Sequence, residues 1–162
     1  MLKQISATFG SEEVLTKIVE QNPNRQFKFL QTTPQDTQLQ LLDISGEPTI
    51  FKTPIEYQVL GHAGNNEFNG LFHFEFLKLD VDNQKVWQSA VNHDVLNNTL
   101  PEGMLSAYLL ENKLHTNENV LLTTWISTNN LANWTDSLAF QNISMFNDGQ
   151  SHYYQQNYSI VK

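Results

Sequence analysis

From Phe68 onward, stretches with the two-residue period of a strand and the 3.6-residue period of a helix follow in the order strand, helix, strand, strand, helix, strand. Phe68 to Leu79 reads as a long strand, Asp82 to about Asn97 as a helix with Val86, Ala90, Val91 and Val95 inward, and Met104 to Leu114 as a second strand. Val120 to Ile126 follows, then a helix capped by Ser127 or Thr128 with Leu131, Trp134 and Leu138 on its apolar face, then an alternating tail from His152 to Val161. A βαββαβ unit of this kind makes an antiparallel sheet with helices on one face. The bare face must be covered by something else.

The first 64 residues are the nearest candidate for that cover. Leu2 to Phe9 alternates as a strand, and Gly10-Ser11 opens a helix with Glu12 and Glu13 in its first turn and Val14, Leu15, Ile18 and Val19 buried. Asn22-Pro23-Asn24 ends that helix, and Gln26 to Gln31 and Gln38 to Ile44 read as strands parted by a turn containing Pro34. A short strand at Thr49 to Phe51 is expected next, then a helix from the Thr53-Pro54-Ile55-Glu56 capping box to about Leu60. Gly61 to Asn66 reads as a linker, which gives two units, 1–64 and 65–162.

Composition narrows the partners. The chain has 162 residues and a formal charge of −8, Arg25 is its only arginine, and it has no cysteine. Too few basic residues are present to neutralise a run of phosphates, so nucleic acid and an anionic membrane surface are disfavoured. Disulfides, thiolate zinc sites and thiol nucleophiles are excluded. No run approaches the ~18 apolar residues of a spanning helix, and the N-terminus lacks the apolar core of a signal peptide. A cytoplasmic location is expected. The chain carries no phosphate-binding loop, dinucleotide fingerprint, nucleophile elbow or His-Glu-x-x-His pattern, and a His73/Glu75 pair lacks further metal ligands at a recognisable spacing.

Pro101 to Leu110, then Val120 to Trp125, then Trp134-Thr135-Asp136-Ser137-Leu138-Ala139-Phe140 resemble the antibiotic-biosynthesis-monooxygenase (ABM) superfamily. The resemblance to its heme-degrading and TRAP-like branch (TRAP, target of RNAIII-activating protein) extends to Phe9-Gly10, Asn22-Pro23, Gly46-Glu47-Pro48-Thr49 and Pro54 to Val59. It implies a ferredoxin-like α+β fold whose sheet closes a barrel, either with the N-terminal half as a monomer or with a second subunit as a homodimer. It also implies a cavity for heme or an aromatic small molecule. Of the heme-degrading constellation, Trp134 matches the tryptophan, Glu75 stands at or beside the asparagine, and Ser144 takes the place of the histidine. A serine hydroxyl is a poor substitute for a proximal imidazole, so heme is a possible cofactor and not an assured one.

Strand alternation places Phe72, Phe74 and Phe76 on one face and His73 and Glu75 on the other. If the second face lines the cavity, Glu75 is desolvated and serves as a general base beside His73. If the phenylalanines are the core, His73 and Glu75 stand in water. Trp134 is read either as a contact to the bound molecule or as plain helix packing. Two readings of function follow: an ABM-type oxygenase, on heme or on an activated aromatic without cofactor, and a non-catalytic binding or regulatory protein.

Overall fold

The computed structural model describes residues 1–33 and 38–161. Eight antiparallel strands form it: β1 Gln4–Gly10, β2 Phe27–Thr33, β3 Leu39–Asp43, β4 Ile55–Gly64, β5 Leu71–Lys78, β6 Met104–Asn112, β7 Glu118–Trp125 and β8 Tyr154–Ile160. They are hydrogen-bonded in the order β4-β1-β3-β2-β8-β5-β7-β6, and β6 returns to β4, so the barrel closes within one chain. The first four strands of that order and the last four repeat one arrangement, two ferredoxin-like sheets sharing a core. Closure leaves these eight strands without a free sheet edge.

Four helices lie outside the barrel among the described residues: α1 Glu12–Gln21, α2 Val81–Val91 with a π-helical continuation Asn92–Leu96, α3 Thr128–Thr135 and α4 Leu138–Ser144. Each begins on a side chain that accepts a backbone N–H otherwise left without a partner: Ser11, Asp80, Ser127 and Ser137. α1 buries Leu15 against Leu41 and Phe51. The other three cover the outer face of β5, β6 and β7 through Trp87, Val91, Leu131, Trp134, Phe140 and Ile143. No helix among the described residues is long and apolar enough to cross a membrane.

Several expectations are corrected: Gly61 to Gly64, expected as part of a linker, are the end of β4 paired with β6, and Val14 and Val86, expected to face inward, are exposed. The helix expected over Thr53 to Leu60 is instead the start of β4. Tyr57 and Val59 are buried while Gln58 and Leu60 are exposed, a period of two, and this strand fills the gap between β1 and β6. Thr49 to Phe51 forms no strand; Phe51 is buried beside α1. The single helix expected across Leu131, Trp134 and Leu138 is broken at Ser137, whose cap starts α4 on a new axis and leaves Leu138 exposed. The expected turn at Pro34 lies outside the described residues.

Candidate functional site

β5 separates two environments. Phe72 and Phe74 point into the barrel, where they pack with Leu30, Leu42, Tyr108, Leu122 and Tyr158. His73 and Glu75 point outward, yet they are only 1% and 3% exposed, because α3, α4 and the chain leading into β8 roof that face. They are therefore neither inside the barrel nor in water. The expectation that Glu75 and Trp134 face a hollow between two sheets is corrected: neither reaches the barrel interior, much of which is filled by an aromatic core, since large apolar rings release the most free energy when they take enclosed space.

Register then builds a polar chain. His73 lies opposite Asn157 of β8, and its Nδ1 is 2.6 Å from Asn157 Oδ1. Its Nε2 is 3.1 Å from Glu75 Oε2, and the Tyr153 hydroxyl donates to Glu75 Oε1 at 3.2 Å. Burial, the Glu75 charge and the hydrogen bond to it hold the Tyr153 phenol well above its usual range, so Tyr153 stays a neutral donor. Both His73 nitrogens face oxygens, which suits a ring donating from each. With the Asn157 amide turned over, its N–H meets a neutral ring at Nδ1. Either form of His73 thus keeps its partners, and a buried group able to gain or lose a proton without stranding a neighbour is suited to proton transfer.

The chain of contacts opens on a cleft of about 480 Å³ between β8 and the helices, lined by His73, Tyr153 and Asn157 on one side and Leu131, Thr135 and Phe140 on the other. Glu75 sits behind His73, outside this lining. Trp134 backs the cleft wall: its ring packs on Trp125 at 5.3 Å and Phe140 at 4.8 Å, and its buried indole N–H has no partner among the described residues. Ser144 ends α4, where its hydroxyl donates to the Gln141 carbonyl, and it does not line the cleft. The structure therefore brings His73 and Glu75 together, holds Trp134 one layer back and leaves Ser144 apart. Neither Tyr153 nor Asn157 is singled out by the sequence, where Tyr153 reads as part of an ordinary aromatic strand; it lies just before β8, four residues from Asn157 and on the same side of the expected alternation.

Heme suits these residues poorly. No lysine or arginine among the described residues lines the cleft to meet propionates. Arg25 is committed elsewhere, to Asp43 at 2.8 Å and the Pro48 carbonyl. Among the described residues no group of three or more His, Cys, Asp or Glu is placed to hold a metal ion.

No family model and no curated protein matches the chain. Solved structures do. A ferredoxin-fold protein related to antibiotic biosynthesis monooxygenases, from Listeria monocytogenes, is 18% identical with a TM-score of 0.84, over 99% of this chain and 95% of that one. The Listeria monocytogenes heme-degrading enzyme LmHde is 20% identical at TM-score 0.78, over 98% and 99%. A regulator of staphylococcal pathogenesis is 16% identical at TM-score 0.80, over 99% and 100%. The chain has the ferredoxin-like barrel fold of the ABM-related proteins, as its motifs led one to expect.

Proposed function

We propose that the cleft between β8 and helices α3 and α4 binds a small, weakly acidic aromatic molecule, and that His73, steadied by Glu75, removes a proton from it in a cofactor-free oxygenation of the ABM type. The observation that carries this reading is the buried Asn157–His73–Glu75–Tyr153 chain, whose imidazole reaches the cleft and keeps hydrogen-bond partners in both protonation states. A methylene activated by an adjacent carbonyl must lose a proton before dioxygen can react with it. Overall the methylene carbon exchanges its two C–H bonds for one C=O bond. One atom of dioxygen becomes the carbonyl oxygen, and the other leaves as water with the two hydrogens, so the substrate itself supplies every electron and no other reductant is needed. In this scheme Glu75 positions the ring, Tyr153 donates to the carboxylate and Trp134 supports the wall. The low count of basic residues is consistent with a protein that has no nucleic-acid or anionic-membrane partner.

Anthrone is a suitable probe, since its oxidation to anthraquinone is followed by absorbance. Wild type is expected to accelerate the oxidation, and His73→Gln to reduce that acceleration by about 10²-fold or more while the circular dichroism spectrum is retained. Equal rates in the two would overturn the reading. The likeness to the staphylococcal regulator supports the alternative, a non-catalytic binding or regulatory protein, which saturable binding without anthraquinone formation would select. Titration with hemin tests the remaining ligand: a Soret shift at concentrations where serum albumin gives none would return heme to the cleft.

A further inference from the structure

The barrel is blind at one end and hollow at the other. At the blind end Phe68 inserts as a plug, stacked on Tyr108 at 4.8 Å and Phe72 at 6.4 Å, while the Tyr108 hydroxyl donates to Asn66 Oδ1 at 2.7 Å. The opposite end holds a partly enclosed cavity of about 380 Å³. This lies at the small end of the roughly 300–1,000 Å³ usual for small-molecule sites. Its apolar wall comes from Ile55 of β4, Phe76 of β5 and Val120 of β7, with Tyr57 and Tyr158 deeper in and Tyr154 at the rim.

Three features define what would enter. The rings of Tyr57 and Tyr158 are buried, only 6% and 4% exposed, yet no tyrosine hydroxyl is among the sealed polar atoms left without a partner, and both residues, with Tyr154, line the cavity. Burial first, then neighbouring phenols at Tyr57 and Tyr158 and the Glu118 carboxylate at Tyr57 and Tyr154, hold these phenols neutral, so they present O–H donors. Charge at the mouth is already matched: Lys78 lies 3.4 Å from Glu118, and Asn112 donates to the same carboxylate at 2.8 Å. Apart from the exposed His152 imidazole, no cationic side chain among the described residues remains there to receive a carboxylate or phosphate. The third feature is a ring stack along one wall, Phe74 on Phe76 at 5.7 Å and 5° and Phe76 on Tyr154 at 4.4 Å and 15°.

We infer that the barrel mouth is a second binding site, separate from the cleft, for an uncharged flat aromatic molecule of one or two rings carrying a carbonyl acceptor. The carbonyl accepts from the deep phenols, and the rings fill the space between the stack and Ile55. The two sites share β5 and β8 but use opposite faces of them, Phe76 and Tyr158 inward, His73 and Asn157 outward. The inference therefore stands whether or not the cleft reading holds.

The test is calorimetric titration of the full chain with 2-acetonaphthone, a neutral naphthyl ketone, and with 2-naphthoate, its anionic counterpart. One-to-one binding of the ketone is expected, about five-fold weaker in Tyr57→Phe and in Tyr158→Phe, each of which removes one hydroxyl. Ala132→Trp, which fills the cleft from an exposed position on α3, should leave that affinity unchanged. Absence of saturable ketone binding, or equal affinity for the naphthoate, would overturn the proposal. So would loss of ketone binding in Ala132→Trp with full affinity in both tyrosine variants.

Discussion

At the scale of single residues, the most demanding feature is a buried carboxylate shared by two donors. Glu75 accepts from His73 on one oxygen and Tyr153 on the other, with no solvent to replace either. Glu75→Ala strands both and is expected to cost about 3–5 kcal/mol in urea unfolding, the usual result of removing one partner of a buried pair. Replacing both, as His73→Leu with Glu75→Leu, should recover part of that, since the imidazole no longer needs a partner while Tyr153 and Asn157 still lose theirs. Failure of the double variant to recover would mean that the pair is held by more than its own hydrogen bonds. Alternation in 71–79 was enough to put His73 and Glu75 on one face. It could not say what covers them, because Tyr153 and Asn157 arrive from the region of β8, 78 and 84 residues further along the chain from their partners.

At the scale of elements, the short-range signals were legible and the long-range ones were not. The cap at Ser11, the cap left open between Ser127 and Thr128, which falls on Ser127, and the alternation of β5 are local signals that the structure bears out, although the strand expected from Phe68 begins only at Leu71. β4 is different. Its Thr53-x-x-Glu56 start imitates a helix cap, yet two neighbouring strands supply pairing on both sides, and that outweighs the local preference. The plug after β4 was likewise hidden. Phe68 has φ +54°, unusual for a bulky side chain, and is held there by Tyr108 and Phe72. Gly64 and Gly70 bracket it at φ +86° and +85°, where an added Cβ would lie 2.3 and 2.2 Å from backbone carbonyl oxygens. Phe68→Ala is expected to cost about 3–5 kcal/mol, less whatever backbone strain it relieves. Amide exchange should then accelerate first in 64–70 and in β6 beside it. Uniform acceleration across the barrel would show instead that the plug belongs to the global folding unit.

At the scale of the whole molecule, the closed barrel and its outer cover take Tyr57, Tyr108, Tyr153 and Tyr158 largely out of bulk water and leave Tyr154 at the rim. All five of them, Tyr57, Tyr108, Tyr153, Tyr154 and Tyr158, have phenols raised above the ordinary value, in each case chiefly by burial. Tyr108 and Tyr158 reach about 12, against about 10 in an unfolded chain. Below that lower value both states hold the phenol protons, and the tyrosines make no difference to stability with pH. Above it the unfolded chain releases protons that the barrel retains, so unfolding is favoured as pH rises, and the loss continues until the folded phenols themselves ionise. The urea midpoint should therefore be flat across neutral pH as far as tyrosine is concerned and fall steeply from about pH 10, with phenolate absorbance appearing together with unfolding. Tyr158→Phe should make that fall shallower, because it removes one of the linked groups without emptying the space its ring occupies. A midpoint that falls equally in the variant, or phenolate absorbance that rises while the barrel is still folded, would mean that water reaches the phenols through the mouth.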